Sequence, residues 1–188
     1  EGAAGTTNTV GDATTQSGGV TLRANSVYFS SINTNRVLGT GTLALEPSTA
    51  NTTIGLGTGS GTLSFSASLF SGSSVFKDGF SSIVIGASDA GNITVGGANS
   101  FVDSVTLLTG GNVTLNAGAT ITDNQANGYL ALAATGNFIN NAGASALSTT
   151  GTGGRWLVYS NAPGTDTFGS LNSANGAVWN ASYATLAP

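Results

Sequence analysis

Apolar residues in this chain recur as short alternating triplets, each opened by a small residue. They read Gly19-Val20-Thr21-Leu22, Gly41-Thr42-Leu43-Ala44-Leu45 and Gly61-Thr62-Leu63-Ser64-Phe65 in the first third. Further along come Ser82-Ile83-Val84-Ile85, Gly91-Asn92-Ile93-Thr94-Val95, Asp103-Ser104-Val105-Thr106-Leu107 and Gly111-Asn112-Val113-Thr114-Leu115. In extended backbone, successive side chains leave on opposite faces. Each triplet therefore puts two apolar groups on one face and one small, usually polar, group on the other. Short strands at regular spacing, punctuated by Gly and Asn, predict an all-β fold of the β-solenoid kind.

The spacing sets the coil. Val20, Leu43, Leu63, Ile83 and Val105 are separated by 23, 20, 20 and 22 positions. Ile93, Val113 and Leu130 are separated by 20 and 17, and Val105, Ile121, Phe138 and Trp156 by 16, 17 and 18. A coil of roughly 20 residues fits, carrying two or three strands. About nine coils stacked at ~4.8 Å predict a rod of roughly 45 Å. Two stretches interrupt the pattern. Residues 47–60 form a Gly/Thr-rich excursion with Ile54 and Leu56 as candidate core. Residues 66–80, with Leu69, Phe70, Val75, Phe76 and Phe80, predict a short helix or lateral insertion, with Lys77-Asp78-Gly79 as a turn. The chain thus divides into a shaft, residues 1–153, and a distinct aromatic segment, residues 154–188, that caps or continues it.

Gly-Asn precedes three strands, at Gly91-Asn92, Gly111-Asn112 and Gly136-Asn137. Here Gly is expected to supply a positive φ, and stacked Asn92, Asn112 and Asn137 to form a turn ladder. Thr21, Thr94, Thr106 and Thr114 are the outward members of their triplets. A Thr rank on a flat face can order water, as in ice-binding solenoids. One Thr per strand, rather than a Thr-x-Thr pair, instead favours an ordinary solvated face of β-branched residues.

Composition narrows the chemistry. Only 6% of residues are charged, while 39% are hydrophobic, and the net charge is −4. Few charges suit a stack in which like charges would sit opposite one another. The four basic residues, Arg23, Arg36, Lys77 and Arg155, are scattered, so a nucleic-acid or anionic-membrane partner is not expected. The chain lacks Cys, Met and His, which removes disulfides, His-based triads and the commonest zinc or haem ligands. No apolar run reaches the ~18 residues of a membrane span. The first residues lack signal-peptide character, so the segment reads as processed or excised from a longer chain. Asp103 and Asp123 lie one coil apart, but one precedes its strand and the other follows its own. They are therefore not expected to form a glycosidase pair. Calcium-loop spacing is absent. No catalytic, metal or cofactor site is expected, and the chain does not read as an enzyme.

The tail holds Trp156, Tyr159, Phe168, Trp179 and Tyr183. Such aromatics can cap an open solenoid end or stack on sugar rings. Here the text also becomes specific. The strings Gly153-Gly154-Arg155-Trp156-Leu157-Val158-Tyr159-Ser160, Pro163-Gly164-Thr165-Asp166-Thr167-Phe168-Gly169-Ser170-Leu171 and Trp179-Asn180-Ala181-Ser182-Tyr183 resemble the end of the repeat region in filamentous-haemagglutinin-like adhesins. Residues 78–86 and 91–95 resemble their repeats. The resemblance implies a right-handed parallel β-helix on a secreted or surface protein of a Gram-negative bacterium, exported by the two-partner route. It implies a part in adhesion, aggregation or biofilm formation, with cell-surface or matrix carbohydrate or protein as partner. End-to-end homopolymerisation is a variant. The rival readings are a carbohydrate-binding or polysaccharide-cleaving β-helix, and an ice- or mineral-surface binder.

Overall fold

The alternating triplets become strands because their two apolar members share one face and can be buried together. The computed structural model describes residues 18–29, 37–71, 75–174, 176, 178 and 181–188. In chain order the strands are β1 (Val20–Arg23), β2 (Thr42–Glu46), β3 (Ile54–Gly57), β4 (Leu63–Phe65) and β5 (Ser82–Ala87). Then come β6 (Ile93–Gly96), β7 (Ala98–Phe101), β8 (Val105–Thr109), β9 (Val113–Leu115) and β10 (Thr120–Asp123). The last are β11 (Tyr129–Ala134), β12 (Phe138–Asn140), β13 (Leu147–Thr149) and β14 (Arg155–Tyr159). The described helical structure is two 3₁₀ turns, Ala67–Phe70 and Pro163–Thr165.

The strands form three sheets, and their pairings are parallel. The first sheet runs β1-β2-β5-β8-β11-β14, the second β12-β9-β6-β3-β4 and the third β13-β10-β7. From β5 onward the chain visits the first, second and third sheets in turn and returns one strand further along. This all-β, parallel arrangement is consistent with a β-solenoid.

The register makes columns of like residues. On the inner face of the first sheet, Val20, Leu43, Ile83, Val105, Leu130 and Trp156 lie side by side. Leu22, Leu45, Ile85, Leu107, Leu132 and Val158 make the parallel column. Ile54, Ile93, Val113 and Phe138 face them from the second sheet. Most of these side chains are fully buried. Each such burial contributes about 1.5–3 kcal/mol. Ile54 and Leu56 are core residues of β3, as their positions in the sequence suggested.

The register corrects the period read from the sequence. Leu43 pairs directly with Ile83, forty positions on, while Leu63 sits in the second sheet beside Ile54. Val113 pairs with Phe138, not Leu130, and Ile121 pairs with Asn99 and Leu147. Neighbouring layers are offset by 20 residues between Ile93 and Val113, and by 26 between Leu130 and Trp156. The longest described sheet has six strands, a stack of about 24 Å at ~4.8 Å spacing.

The forty-residue step exists because the chain folds back. After β3 it turns within Thr58–Thr62 and lays β4 on the far side of β3, one layer toward the N-terminus. Glycines make this return feasible. A Cβ on Gly61 would land on the backbone nitrogen of Gly55 and the carbonyl carbon of Ile54, and one on Gly59 on the carbonyl of Thr94. The 3₁₀ turn Ala67–Phe70 then brings Phe70 into the core, and Phe76 bridges back to Val37. Within the stretch 66–80, the described helical element is the 3₁₀ turn Ala67–Phe70. Phe70 stacks on Phe76 at 5.3 Å between ring centroids and meets Phe101 at 4.8 Å and Phe65 at 6.4 Å.

Candidate functional site

Among the described residues, no group of three or more His, Cys, Asp or Glu is placed to hold a metal ion. Nor is any helix there long and apolar enough to cross a membrane.

Asn92, Asn112 and Asn137 are linked from layer to layer. Asn112 donates its backbone N–H to Asn92 Oδ1 at 2.9 Å, and Asn137 donates its own to Asn112 Oδ1 at 2.8 Å. The Thr165 hydroxyl extends the series by donating to Asn137 Oδ1 at 3.0 Å. The neighbouring Asp166 takes the Phe138 N–H at 2.9 Å on Oδ1, and the Ser160 hydroxyl on Oδ2. The role of the glycines differs from the sequence reading. Gly91, Gly111 and Gly136 are not among the residues with positive φ. Instead, a Cβ on Gly111 would strike Asn92 Oδ1, and one on Gly136 would strike Asn112 Oδ1. The glycine clears the space through which the asparagine of the preceding layer reaches forward.

The four threonines do not form one rank. Thr94 and Thr114 are neighbours in the second sheet and half-buried. Thr21 and Thr106 belong to the first sheet, on the column Thr21, Ala44, Val84, Thr106, Ala131, Leu157. Thr21 is exposed, but Thr106 and Ala131 are 0% exposed. Thr106 is thus corrected from outward to buried, and its hydroxyl has no hydrogen-bond partner in the structure. Alternation told which face Thr106 leaves from; it carried no information about what packs over that face.

The tail aromatics separate into different environments. Trp156 lies on the inner column of β14 and, with Val158, packs against the core. Tyr159 leaves the opposite face. Its hydroxyl donates to the Leu186 carbonyl at 2.8 Å, and its ring meets Tyr183 edge-on at 5.7 Å. Burial, then the neighbouring Tyr183, pushes the Tyr159 phenol above its usual range, with Arg155 opposing. Phe168 continues from Phe138, its ring 6.0 Å away, and is 41% exposed. Trp179 lies outside the described residues. The described rings form no single flat platform for sugar.

Two carboxyls, Asp103 and Asp123, are buried. Asp123 is 0% exposed; Oδ1 accepts the Gln125 N–H at 2.9 Å, while Oδ2 is buried without a partner. Burial raises its pKa. Asp103 is 2% exposed and accepts the Gly79 N–H at 3.1 Å. Burial chiefly, with the adjacent Asp78 carboxyl, raises its pKa to about 6, against the lowering effect of the Gly79 and Phe80 N–H groups. Each carboxyl is tied to a different turn, Asp103 to that of Gly79 and Asp123 to that of Gln125. Asp78 was not foreseen as a neighbour because it lies in the stretch 66–80, which interrupts the strand pattern.

Because the folded pKa of Asp103 lies above the unfolded one, the native state holds its proton more tightly. The associated stability is complete below pH ~4 and is lost as pH rises through about 6. Asp103→Asn keeps an acceptor for Gly79 and removes the charge. It should raise stability at pH 7.5 by about 1–3 kcal/mol and much less at pH 4.5. Urea midpoints at the two pH values measure this; an equal change at both would refute the assignment.

No family model, no curated protein and no solved structure matches the chain.

Proposed function

We propose that this chain is a shaft segment of a large secreted bacterial surface protein. In this reading it is a right-handed parallel β-helix that spaces or displays a binding surface in adhesion, aggregation or biofilm formation. The observation that carries the reading is continuity from layer to layer. The inner columns and the Asn92–Asn112–Asn137 ladder repeat the same contacts along the stack. Such an array extends by adding layers and offers its length and flanks rather than an enclosed reaction site. Trp156 on the last strand of the first sheet, Phe168 beside Phe138, and Tyr159 against Tyr183 serve in this reading as the aromatic cap. The partners are carbohydrate or protein of a cell surface or matrix; end-to-end polymerisation is the variant that the second measurement below separates from this reading. The chain performs no catalysis.

Two measurements test the reading. Beads coated with the purified chain should adhere to cell monolayers or matrix above an albumin control; adhesion equal to the control rejects display of a binding surface. Electron micrographs at two concentrations should show isolated short rods. Long filaments with a ~4.8 Å axial repeat would make the chain a fibre subunit instead.

A further inference from the structure

The fold-back that produces β4 also leaves a hollow on the flank of the stack. Residues 27–29 run past β4 and the 3₁₀ turn, and between them lies a space of about 240 Å³. It is lined by Val27, Tyr28, Phe29, Ser64, Ser66 and Leu69. Its apolar part is anchored: Leu69 is 7% exposed, and the Phe29 ring packs edge-on against the buried Phe76 at 5.3 Å. Tyr28 is different. It is 93% exposed, the most exposed large hydrophobic side chain described, and it borders the same space.

The polar part is equally specific. The Ser64 hydroxyl donates to the Gly61 carbonyl at 2.8 Å, which leaves its oxygen as an acceptor. Ser66 and Ser68 share one hydrogen bond at 3.1 Å, which leaves further donor and acceptor capacity. No lining residue is charged. An anionic ligand would find no cation in this wall, and a wholly apolar one would strand the serine hydroxyls. What matches an aromatic ring, an apolar floor and neutral hydroxyls is a molecule with one C–H face and a rim of hydroxyls. The volume is below the ~300–1,000 Å³ usual for drug-sized ligands, so it suits one ring of a longer chain.

We infer that this hollow is a subsite for a neutral sugar residue of a glycan. Tyr28 stacks on the C–H face of the ring, and Ser64 and Ser66 bond its hydroxyls. The inference deepens the display reading and rests on it for its biological setting, but the binding chemistry stands by itself. With one ring engaged, the affinity is weak, of about millimolar Kd. Many copies on one surface would raise it by avidity.

Saturation-transfer NMR on the full chain tests the site, with the methyl β-glycosides of glucose, galactose and N-acetylglucosamine as probes. At least one should receive saturation at its ring C–H protons. Tyr28→Ala should weaken binding at least tenfold, and Tyr28→Trp should preserve it, because only the stacking face is required. Tyr28 is exposed, so neither change should alter the fold, which circular dichroism verifies. No transfer to any probe, or equal transfer to the Tyr28→Ala variant, overturns the site. Coated-bead adhesion of the same proteins separates the two levels. Adhesion kept by Tyr28→Ala overturns the role of this hollow in adhesion while display stands. Wild-type beads that do not adhere, with sugar transfer intact, reject display while the site stands.

Discussion

Phe70→Ala should lower the unfolding free energy by about 3–5 kcal/mol. Phe70 is 1% exposed and sits where the 3₁₀ turn Ala67–Phe70 meets the stack, against Phe65, Phe76 and Phe101. Truncation removes the ring's transfer energy and leaves a cavity that its neighbours cannot fill. Phe101 is on β7, Phe65 on β4, and Phe76 is bridged to Val37. The loss has a spatial signature, because layers of a stacked fold depend on their immediate neighbours. Hydrogen exchange should accelerate in β3, β4 and β7 well before β12 and β13. A urea titration with exchange mass spectrometry reads both. A uniform loss of protection over the whole stack, or a change under 1 kcal/mol, would contradict the central placing of this ring. Phe70→Leu should cost clearly less, since it retains much of the volume.

The second large effect is expected at Gly61→Ala, about 3 kcal/mol or more. The added methyl would overlap the Gly55 nitrogen and the Ile54 carbonyl carbon, which are backbone and fixed by the second sheet. The strand must lift, which uncovers Leu63 and Phe65. Two other glycines separate contact from conformation. Gly118 has open space around its Cβ position but a φ of +75°, so Gly118→Ala should cost only the left-handed penalty of about 1–2 kcal/mol. Gly164 has neither constraint, and its replacement by Ala should be near neutral. Thermal unfolding of the three variants should rank them in that order. A Gly61→Ala protein as stable as Gly164→Ala would mean that β4 does not lie on β3.

These effects mark how far the sequence can be read. Ile83-Val84-Ile85 or Val113-Thr114-Leu115 reveals a strand and its buried face, because alternation is a property of the local backbone. The series Asn92, Asn112 and Asn137 stands out for a related reason: a Gly-Asn turn that recurs, here after 20 and 25 residues, is a local pattern. Leu63 was misplaced because a triplet carries no mark of its sheet. Gly61-Thr62-Leu63-Ser64-Phe65 has the same pattern as triplets in the first sheet, and only the path of the preceding loop sends it back beside β3. The hollow at Tyr28 was missed for the same reason. Its two walls are more than thirty residues apart and meet only through that reversal.

The sequence alone determined an all-β chain with short strands, buried alternate positions, few charges and a recurring Gly-Asn turn, since each follows from local geometry or composition. Tertiary structure decided the rest. It set which sheet each strand joins, the layer offsets of 20 to 26 residues, the burial of Thr106 and the meeting of Asp78 with Asp103. It also turned Gly111 and Gly136 from turn formers into clearances for side chains of the layer before. The physical reason is that alternation is local, whereas register and close approach belong to pairs of residues brought together by the whole path of the chain.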